Sequence, residues 1–152
     1  MDQLIVFGAK YLVVFVALGS ALVLAFAGER RARLVYTLAI ALPLGYALAR
    51  LAGLLFAHPQ PFAVEGFEPL LPHAVDNSFP SDHTLIGGVF AAVAFLADRR
   101  AGLALWALAL LVGLSRMLAG LHYTVDVVAA AALAVAAVWA ADRTLALFWN
   151  TK

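Results

Sequence analysis

The chain has 152 residues, of which 65% are hydrophobic and only 12% are charged, and its formal net charge is +1. A soluble domain of this size is roughly half apolar and about a quarter charged, so the composition excludes a soluble protein. The mean hydropathy is +0.97, and the length accommodates about five membrane spans without a separate soluble domain. The sequence contains no cysteine, which excludes disulfides and thiolate sites.

Five apolar stretches, separated by charged or polar segments, predict an all-α integral membrane protein with a single transmembrane domain over residues 1–152. The predicted spans run from Leu4 to Ala27, Leu34 to Ala57, His83 to Ala97, about Ala101 to Ser115 and about Thr124 to Ala141. The first span ends in Ala25-Phe26-Ala27, which resembles a signal-peptide cleavage site. Because a positive n-region is lacking and the apolar run is long, we expect this span to be retained.

Positively charged residues mark one side of the predicted bundle. With five spans, that side holds Arg30, Arg31, Arg33, Arg99, Arg100, Arg143 and Lys152. The positive-inside rule makes it the cytoplasmic side. The long polar segment 58–81 and the connection 116–122 then face outward, which for a bacterial inner membrane is the periplasm or the outside.

The third and fourth predicted spans are short. At about 15 residues each they would extend about 22 Å, against a hydrocarbon core of about 30 Å. If their cytoplasmic ends lie at the interface, their outer ends stop within the outer leaflet. We therefore expect a recessed, outward-facing polar pocket, which suits a substrate whose head lies at the surface and whose tail stays in lipid.

The junction of the fourth and fifth spans carries S-R-M-L-A-G-L-H-Y-T-V-D, from Ser115 to Asp126. On a helix His122 and Asp126 share a face, so the carboxylate can orient the imidazole and leave one ring nitrogen free. Ionisable residues within a span are costly, which makes them functional candidates. Two simpler interpretations compete: Arg116 extends to the lipid headgroups, and the His122–Asp126 pair only staples two helices.

A second polar cluster, N-S-F-P-S-D-H-T, leads from Asn77 to Thr84 into the third span. Ser81 suits the N-cap position, and the free N–H groups of the first helical turn form an anion site. His83 lies beside them, where it can donate a proton. The simpler interpretation is an N-cap followed by a surface histidine.

The two clusters together resemble the second and third signature motifs of the type-2 phosphatidic acid phosphatase superfamily of membrane phosphatases. The wider run L-L-P-H-A-V-D-N-S-F-P-S-D-H-T, with Asp82 where most of the superfamily has glycine, is similar to the bacterial undecaprenyl pyrophosphate phosphatase branch. The resemblance extends from about Arg50 to Asp126. It implies a hydrolase that releases phosphate from a lipid pyrophosphate, with a role in cell wall biogenesis.

One motif departs from the superfamily's pattern. The first motif, a lysine followed seven residues later by Arg-Pro, falls where this chain has Gly53 and Gln60-Pro61. Two phosphate-binding cations are therefore missing. Arg50, one helical turn before Gly53, is a candidate to supply one of them, and Lys10 in the first span is a candidate for the other.

The resemblance also implies roles for the site residues. His122 attacks phosphorus to form a phosphohistidine and Asp126 fixes its orientation, while His83 protonates the leaving lipid phosphate and later activates water. The phosphate is bound by Arg116, Ser81, Ser115, Arg50 and Gln60. Opposite protonation states of the two histidines predict a bell-shaped pH profile. No metal or other cofactor is expected, because the sequence offers no acidic cluster for magnesium.

Several alternatives stay open. One alternative is that the substrate is another lipid phosphate, such as phosphatidic acid or phosphatidylglycerol phosphate. A second is that the chain binds a lipid phosphate without catalysis, and a third is that its four histidines hold a metal. A small transporter or channel is disfavoured, because five spans give no inverted repeat. The expected partners are a lipid phosphate and membrane lipid, and no nucleic acid.

Overall fold

The computed structural model describes residues 1–149, which form a bundle of helices. The helices are α1 (Asp2–Ala25), α2 (Arg31–Leu55), α3 (Pro61–Glu65), α4 (Asp82–Ala97), α5 (Arg99–Leu118) and α6 (Thr124–Trp149), and a 3-10 turn (Gly28–Arg30) leads into α2. Across these residues the only β-type pairing is an isolated bridge between Pro59 and Asn77. The predicted all-α class is therefore confirmed.

Four segments are long and apolar enough to cross a membrane: α1, Gly28–Leu55, α5 and α6. They correspond to four of the five predicted spans. The predicted third span is α4, an apolar helix of 16 residues, or about 24 Å. The bundle is therefore that of a multi-pass membrane protein with one helix shorter than the others.

The predicted lengths of the fourth and fifth spans were wrong. Helix α5 has 20 residues, because Asp98 caps its start by accepting a hydrogen bond from the N–H of Ala101 at 2.8 Å. Helix α6 continues beyond Ala141 to Trp149. Charged residues end an apolar run without ending a helix, so Asp142 and Arg143 are part of α6. Residues 150–152 lie outside the described part of the chain.

Small residues allow the helices to pack closely. Helix α6 buries Ala130, Ala134, Ala137 and Ala141, spaced three or four residues apart, against α2 and α4. A Cβ atom added to Gly88 of α4 would lie 2.8 Å from that of Ala134. Such stripes of small residues are typical of helix interfaces within membranes.

Charged side chains join the helices at one end of the bundle. Arg33 of α2 forms a 2.8 Å ion pair with Asp142 of α6. Arg30 donates to the carbonyl oxygen of Ala97, at the end of α4, at 2.8 Å. Most of the arginines that the sequence predicts on one side therefore meet at the same end, whereas Lys152 is outside the described residues.

The segment between α2 and α4 folds against the connection between α5 and α6. The N–H of Phe62 donates to the carbonyl oxygen of Gly120 at 3.2 Å, and that of Leu70 donates to Ala119 at 3.2 Å. Gly120 has a φ of +80°, which ends α5, and an added Cβ would lie 2.4 Å from the ring of Phe67. Only glycine fits here, and it brings the long polar segment over the end of α5.

Candidate active site

Asp126 lies in the first turn of α6 and is fully buried. Its Oδ2 accepts a hydrogen bond from the backbone N–H of Tyr123 at 2.8 Å. A carboxylate three residues into a helix that bonds back in this way caps the helix start. The hydroxyl of Ser78 donates to the same oxygen. Capping and burial together hold the carboxylate in one orientation.

His122 lies in the connection two residues before α6, and not on the helix itself. The connection stays irregular here because Gly120 ends α5 and Asp126 fixes the start of α6 at Thr124. Nδ1 of His122 is 2.9 Å from the carbonyl oxygen of Ser78 and 3.4 Å from Oδ2 of Asp126. The predicted histidine–carboxylate pair is present, but the closer orienting group is a backbone carbonyl.

This geometry sets the chemistry of the imidazole. A carbonyl oxygen only accepts hydrogen bonds, so the contact from Ser78 places the hydrogen of a neutral imidazole on Nδ1 of His122. Nε2 then keeps its lone pair. That is the tautomer required of a nucleophile or a general base.

Arg116 lies in the last turn of α5 with only 6% of its surface exposed. This contradicts the interpretation in which it extends to the lipid headgroups. No described residue accepts a hydrogen bond from its guanidinium, and the negative charges that act on it are those of Asp82 and Asp76. Burying an unpaired guanidinium costs several kcal/mol. An anion with two oxygens is its natural complement.

The start of α4 joins the second motif to the third. Ser81 is the N-cap residue as predicted, but its hydroxyl caps nothing and instead accepts a hydrogen bond from Thr84 at 3.1 Å. The N–H of Ser81 donates to the carbonyl oxygen of Asp126 at 3.2 Å. The first N–H groups of α4 lack intrahelical partners, which leaves them available to an anion.

His83 lies in this first turn and is half-buried. Arg116 and His122 lie close enough to act electrostatically on its imidazole. The three side chains come from α4, α5 and the α5–α6 connection, so the fold brings the two predicted catalytic histidines and the predicted phosphate-binding arginine to one place.

Gln60, which stands where the superfamily has arginine, is turned into the polar segment. Its Oε1 accepts from the N–H of Asp76 at 3.0 Å, and its Nε2 donates to the carbonyl oxygen of Ala74 at 3.3 Å and to the carboxylate of Asp76. Both ends of the buried amide are thus used within the protein. The structure does not bring Gln60 to the phosphate position that the sequence predicted.

Gly53, which stands where the superfamily has lysine, lies against the segment that precedes α4. A Cβ atom there would be 2.9 Å from the carbonyl oxygen of Phe79 and 3.0 Å from the side chain of Asn77. The backbone leaves no room for a lysine. Helix α2 therefore approaches the second motif at the position where the superfamily places a cation.

Arg50 lies one turn earlier, with 64% of its side chain exposed. It donates to the hydroxyl of Tyr46 at 2.8 Å and is 3.9 Å from the carboxylate of Asp82. It lines a cavity of about 390 Å³ together with Asp76, Asn77 and Pro80. A cation is therefore present beside the second motif.

The remaining predicted residues differ in their relation to the site. Ser115 lies on α5 against α1, and a Cβ atom added to Gly8 would be 2.2 Å from its hydroxyl oxygen. Lys10 is exposed, and its ammonium nitrogen lies 5.4 Å from the ring centroid of Tyr11. Of the two candidate replacement cations, Arg50 is the one that lines a cavity of about 390 Å³ with motif residues.

Two residues at the site were missed from the sequence. His58 places Nε2 3.1 Å from Oδ1 of Asp126, and Ser78 contributes both its hydroxyl and its carbonyl oxygen. Ser78 lies within the second polar cluster, and His58 lies two residues before Gln60, so each had a positional signal. A backbone carbonyl acting on a distant side chain leaves no signal in sequence. Within residues 1–149, no group of three or more acidic or histidine side chains is arranged to hold a metal.

An imidazole with a free Nε2, an unpaired buried guanidinium and a helix N-terminus thus meet at one end of an apolar bundle. Phosphoryl transfer requires such positioning and charge stabilisation. Fold and site together define a membrane-embedded phosphoryl-transfer enzyme.

Comparisons with known proteins agree. The family model of the PAP2 superfamily matches residues 33–149. The undecaprenyl-diphosphatase BcrC of Bacillus subtilis is 34% identical over 89% of this chain and 70% of its own length. The bacitracin transport permease protein BcrC of Bacillus licheniformis is 34% identical over 99% of this chain and 71% of its own length.

Two further comparisons place the fold and the family. A lipid A 1-phosphatase of Rhizobium etli is 40% identical over 47% of this chain and 31% of its own length. The crystal structure of Aquifex aeolicus LpxE superposes with a TM-score of 0.65 at 24% identity, covering 91% of this chain and 92% of that one. The chain belongs to the PAP2 superfamily and is a metal-independent lipid phosphatase.

Proposed function

We propose that the protein hydrolyses undecaprenyl pyrophosphate to undecaprenyl phosphate and inorganic phosphate at the outer face of the bacterial cell membrane. The observation that carries this proposal is the buried, unpaired guanidinium of Arg116 near an imidazole whose Nε2 is free. A phosphoryl group supplies the anion that Arg116 lacks and the phosphorus that His122 attacks.

The relatives favour this substrate over the other lipid phosphates. The relative named undecaprenyl-diphosphatase aligns with 89% of the chain, whereas the lipid A 1-phosphatase of Rhizobium etli aligns with 47%. The shorter alignment includes less of the bundle, which contacts the lipid. A role in the cell-wall carrier-lipid cycle follows from a polyprenyl substrate.

In the proposed reaction Nε2 of His122 forms a bond to phosphorus as the bond from phosphorus to the leaving lipid phosphate breaks. His83 donates a proton to the leaving oxygen. Water then attacks the phosphohistidine, His83 takes its proton, and the P–N bond breaks to release inorganic phosphate. Two easier steps replace one difficult displacement.

Charge stabilisation comes from three directions in this proposal. Arg116 binds two oxygens of the transferred phosphoryl group, and the N–H groups at the start of α4 bind the third. Ser81, the N-cap residue of α4, lies beside these N–H groups, whereas Ser115 packs against α1. Asp126 and the carbonyl of Ser78 keep the imidazole of His122 directed at phosphorus.

The second phosphate of the substrate is assigned to Arg50. Its guanidinium lines the cavity of about 390 Å³ next to the second motif. Asp82 in the same cavity is stabilised by the N-terminal dipole of α4 and by Arg50 at 3.9 Å, which limits its repulsion of a phosphate.

We treat residues 1–152 as one catalytic domain and infer its orientation in the membrane from the distribution of charge. The arginine cluster at one end of the bundle indicates the cytoplasmic side, and the short helix α4 recesses the opposite end, which holds the site. A substrate whose isoprenoid tail stays in lipid then reaches the site from the outer leaflet.

A second candidate function is lipid phosphate binding without catalysis. It is favoured by one observation: the glutamine and glycine that replace the first-motif cations have structural roles in the polar segment. It predicts an intact anion site and no covalent phosphoenzyme.

The decisive experiment is to assay phosphate release by the detergent-purified protein in excess chelator. Undecaprenyl pyrophosphate, phosphatidic acid and phosphatidylglycerol phosphate are compared in one preparation, with His122→Ala as the matched control. We expect the pyrophosphate to be hydrolysed fastest. If another lipid were hydrolysed faster, that lipid would be assigned as the substrate instead. If no lipid released phosphate and no labelled phosphate were trapped on the protein, binding without catalysis would be favoured.

A further inference from the structure

The buried carboxylate of Asp126 lies between two histidines. Its Oδ2 faces His122 and accepts hydrogen bonds from Ser78 and Tyr123. Its Oδ1 accepts no hydrogen bond, and the group nearest to it is Nε2 of His58 at 3.1 Å, within ion-pair distance. The superfamily pattern describes the first of these contacts, and this chain adds the second.

The imidazole of His58 is held firmly in place. Its ring packs against Phe56, Phe79 and Tyr123, with centroid distances of 5.2, 6.2 and 5.3 Å. Its backbone N–H donates to the side chain of Asn77 at 3.1 Å, and its carbonyl oxygen accepts from the N–H of Ser78 at 2.8 Å. The contact with Asp126 is thus built into the segment that carries the second motif.

Both nitrogens of this ring face oxygen atoms. Nε2 faces the carboxylate of Asp126 at 3.1 Å, and Nδ1 faces the carbonyl oxygen of Pro59 at 3.3 Å. Nε2 and Oδ1 lie within ion-pair distance but do not form a hydrogen bond, and neither atom has another hydrogen-bond partner among the described residues. His58 therefore places a ring nitrogen against Oδ1, two residues before the position where the superfamily has arginine.

We propose that His58 is a positioning residue for the phosphatase reaction. By holding Oδ1, it prevents the carboxylate of Asp126 from rotating, so that Oδ2 and the carbonyl of Ser78 keep Nε2 of His122 directed at phosphorus. Without His58, the buried Oδ1 loses the ring nitrogen that lies 3.1 Å from it, and an isolated buried carboxylate oxygen is costly. This inference rests on the proposed function, because it assigns His122 as the nucleophile.

Two substitutions separate positioning from packing. The amide nitrogen of His58→Gln reaches about as far as Nε2 and keeps an N–H group beside Oδ1. His58→Phe keeps the aromatic ring but has no donor. Positioning predicts that kcat falls about 10- to 100-fold in His58→Phe, as for other groups that orient a functional histidine, and less than about threefold in His58→Gln. KM changes less than about twofold in both, because His58 does not touch the substrate.

The measurements are kcat and KM for undecaprenyl pyrophosphate and the single-turnover rate of phosphohistidine formation. Glu65→Gln, at an exposed position on α3, serves as the handling control, and thermal unfolding in detergent verifies each variant's fold. If His58→Phe does not fold, His58→Asn takes its place, because its amide stops short of Oδ1.

The outcomes are distinguishable. Equal losses in the donor-keeping and donor-lacking variants, a larger loss in His58→Gln, or a donor-lacking variant as active as the wild type would overturn the positioning role. A wild-type protein that releases no phosphate from any lipid would instead overturn the proposed function.

Discussion

Two regions of the site differ in how closely their residues match the superfamily's motifs. Around the junction of α5 and α6, Arg116, His122 and Asp126 keep the superfamily's pattern. Arg116 lies at the end of α5, Asp126 lies at the start of α6, and His122 lies in the connection between them. Around the end of α2, the residues at the pattern's cationic positions, Gly53 and Gln60, instead pack or bond within the protein.

This difference indicates which parts of the site phosphoryl transfer constrains strictly and which parts can change. The nucleophile and the group that neutralises the transferred phosphoryl must meet at one atom, which fixes their geometry within a fraction of an ångström. The rest of the headgroup needs only positive charge at a longer range. Arg50, which is not part of the superfamily's pattern, is the candidate for this role and lines the cavity beside the second motif.

The largest effect is expected at the α5–α6 junction, from His122→Ala. Removing the nucleophile should lower turnover by at least about a thousandfold, because the residues that act with it lose their function too. Phosphate release and trapping of labelled phosphate on the protein measure this. A variant that kept more than a few per cent of wild-type turnover would contradict the nucleophile assignment.

Arg116 offers a sharper test, because activity and stability should move in opposite directions. Arg116→Met should reduce kcat/KM about 100- to 1000-fold, as when a main transition-state donor is lost. The same change removes an unpaired buried charge, so thermal stability without ligand should hold or rise. Arg116→Lys keeps the charge but not the two-pronged geometry and should remain strongly impaired.

Thermal unfolding with and without orthovanadate, a phosphate analogue, completes this comparison. The analogue should raise the unfolding temperature of the wild type but not that of Arg116→Met, because ligand stabilisation requires binding to the folded site. An equal shift in both proteins would show that the anion binds elsewhere.

The smallest effect is expected at the end of α2, where the first motif departs from the superfamily's pattern, from Arg50→Gln. An exposed charge contributes at most about 1 kcal/mol, so KM for undecaprenyl pyrophosphate should rise about two- to fivefold. KM for phosphatidic acid, which has one phosphate, should change less. If Lys10→Gln produced the selective effect instead, the second phosphate would have been assigned to the wrong cation.

Much of the fold was predictable because apolar runs report burial in lipid directly. Local patterns of residues predict the four long helices, the shorter α4, the basic end of the bundle and the N-cap at Ser81. The lengths of α5 and α6 did not, because a helix continues through charged residues such as Asp142 when a partner such as Arg33 is available.

The candidate site was predictable to the extent that its residues carry their own chemistry. Arg116, His122, Asp126 and His83 are recognisable by type and spacing. Gln60 was assigned to phosphate by its place in the motif, yet its amide is bonded to Asp76 across sixteen residues. Nothing local to Gln60 indicates that contact.

By itself the sequence determined the membrane class and the helical bundle and nominated the candidate reacting groups, because hydropathy and side-chain chemistry are properties of single residues and short segments. Only the tertiary structure decided how those groups are oriented. The carbonyl of Ser78 on His122, the imidazole of His58 on Asp126 and the isolation of Arg116 from any acceptor all depend on packing between segments far apart in the chain.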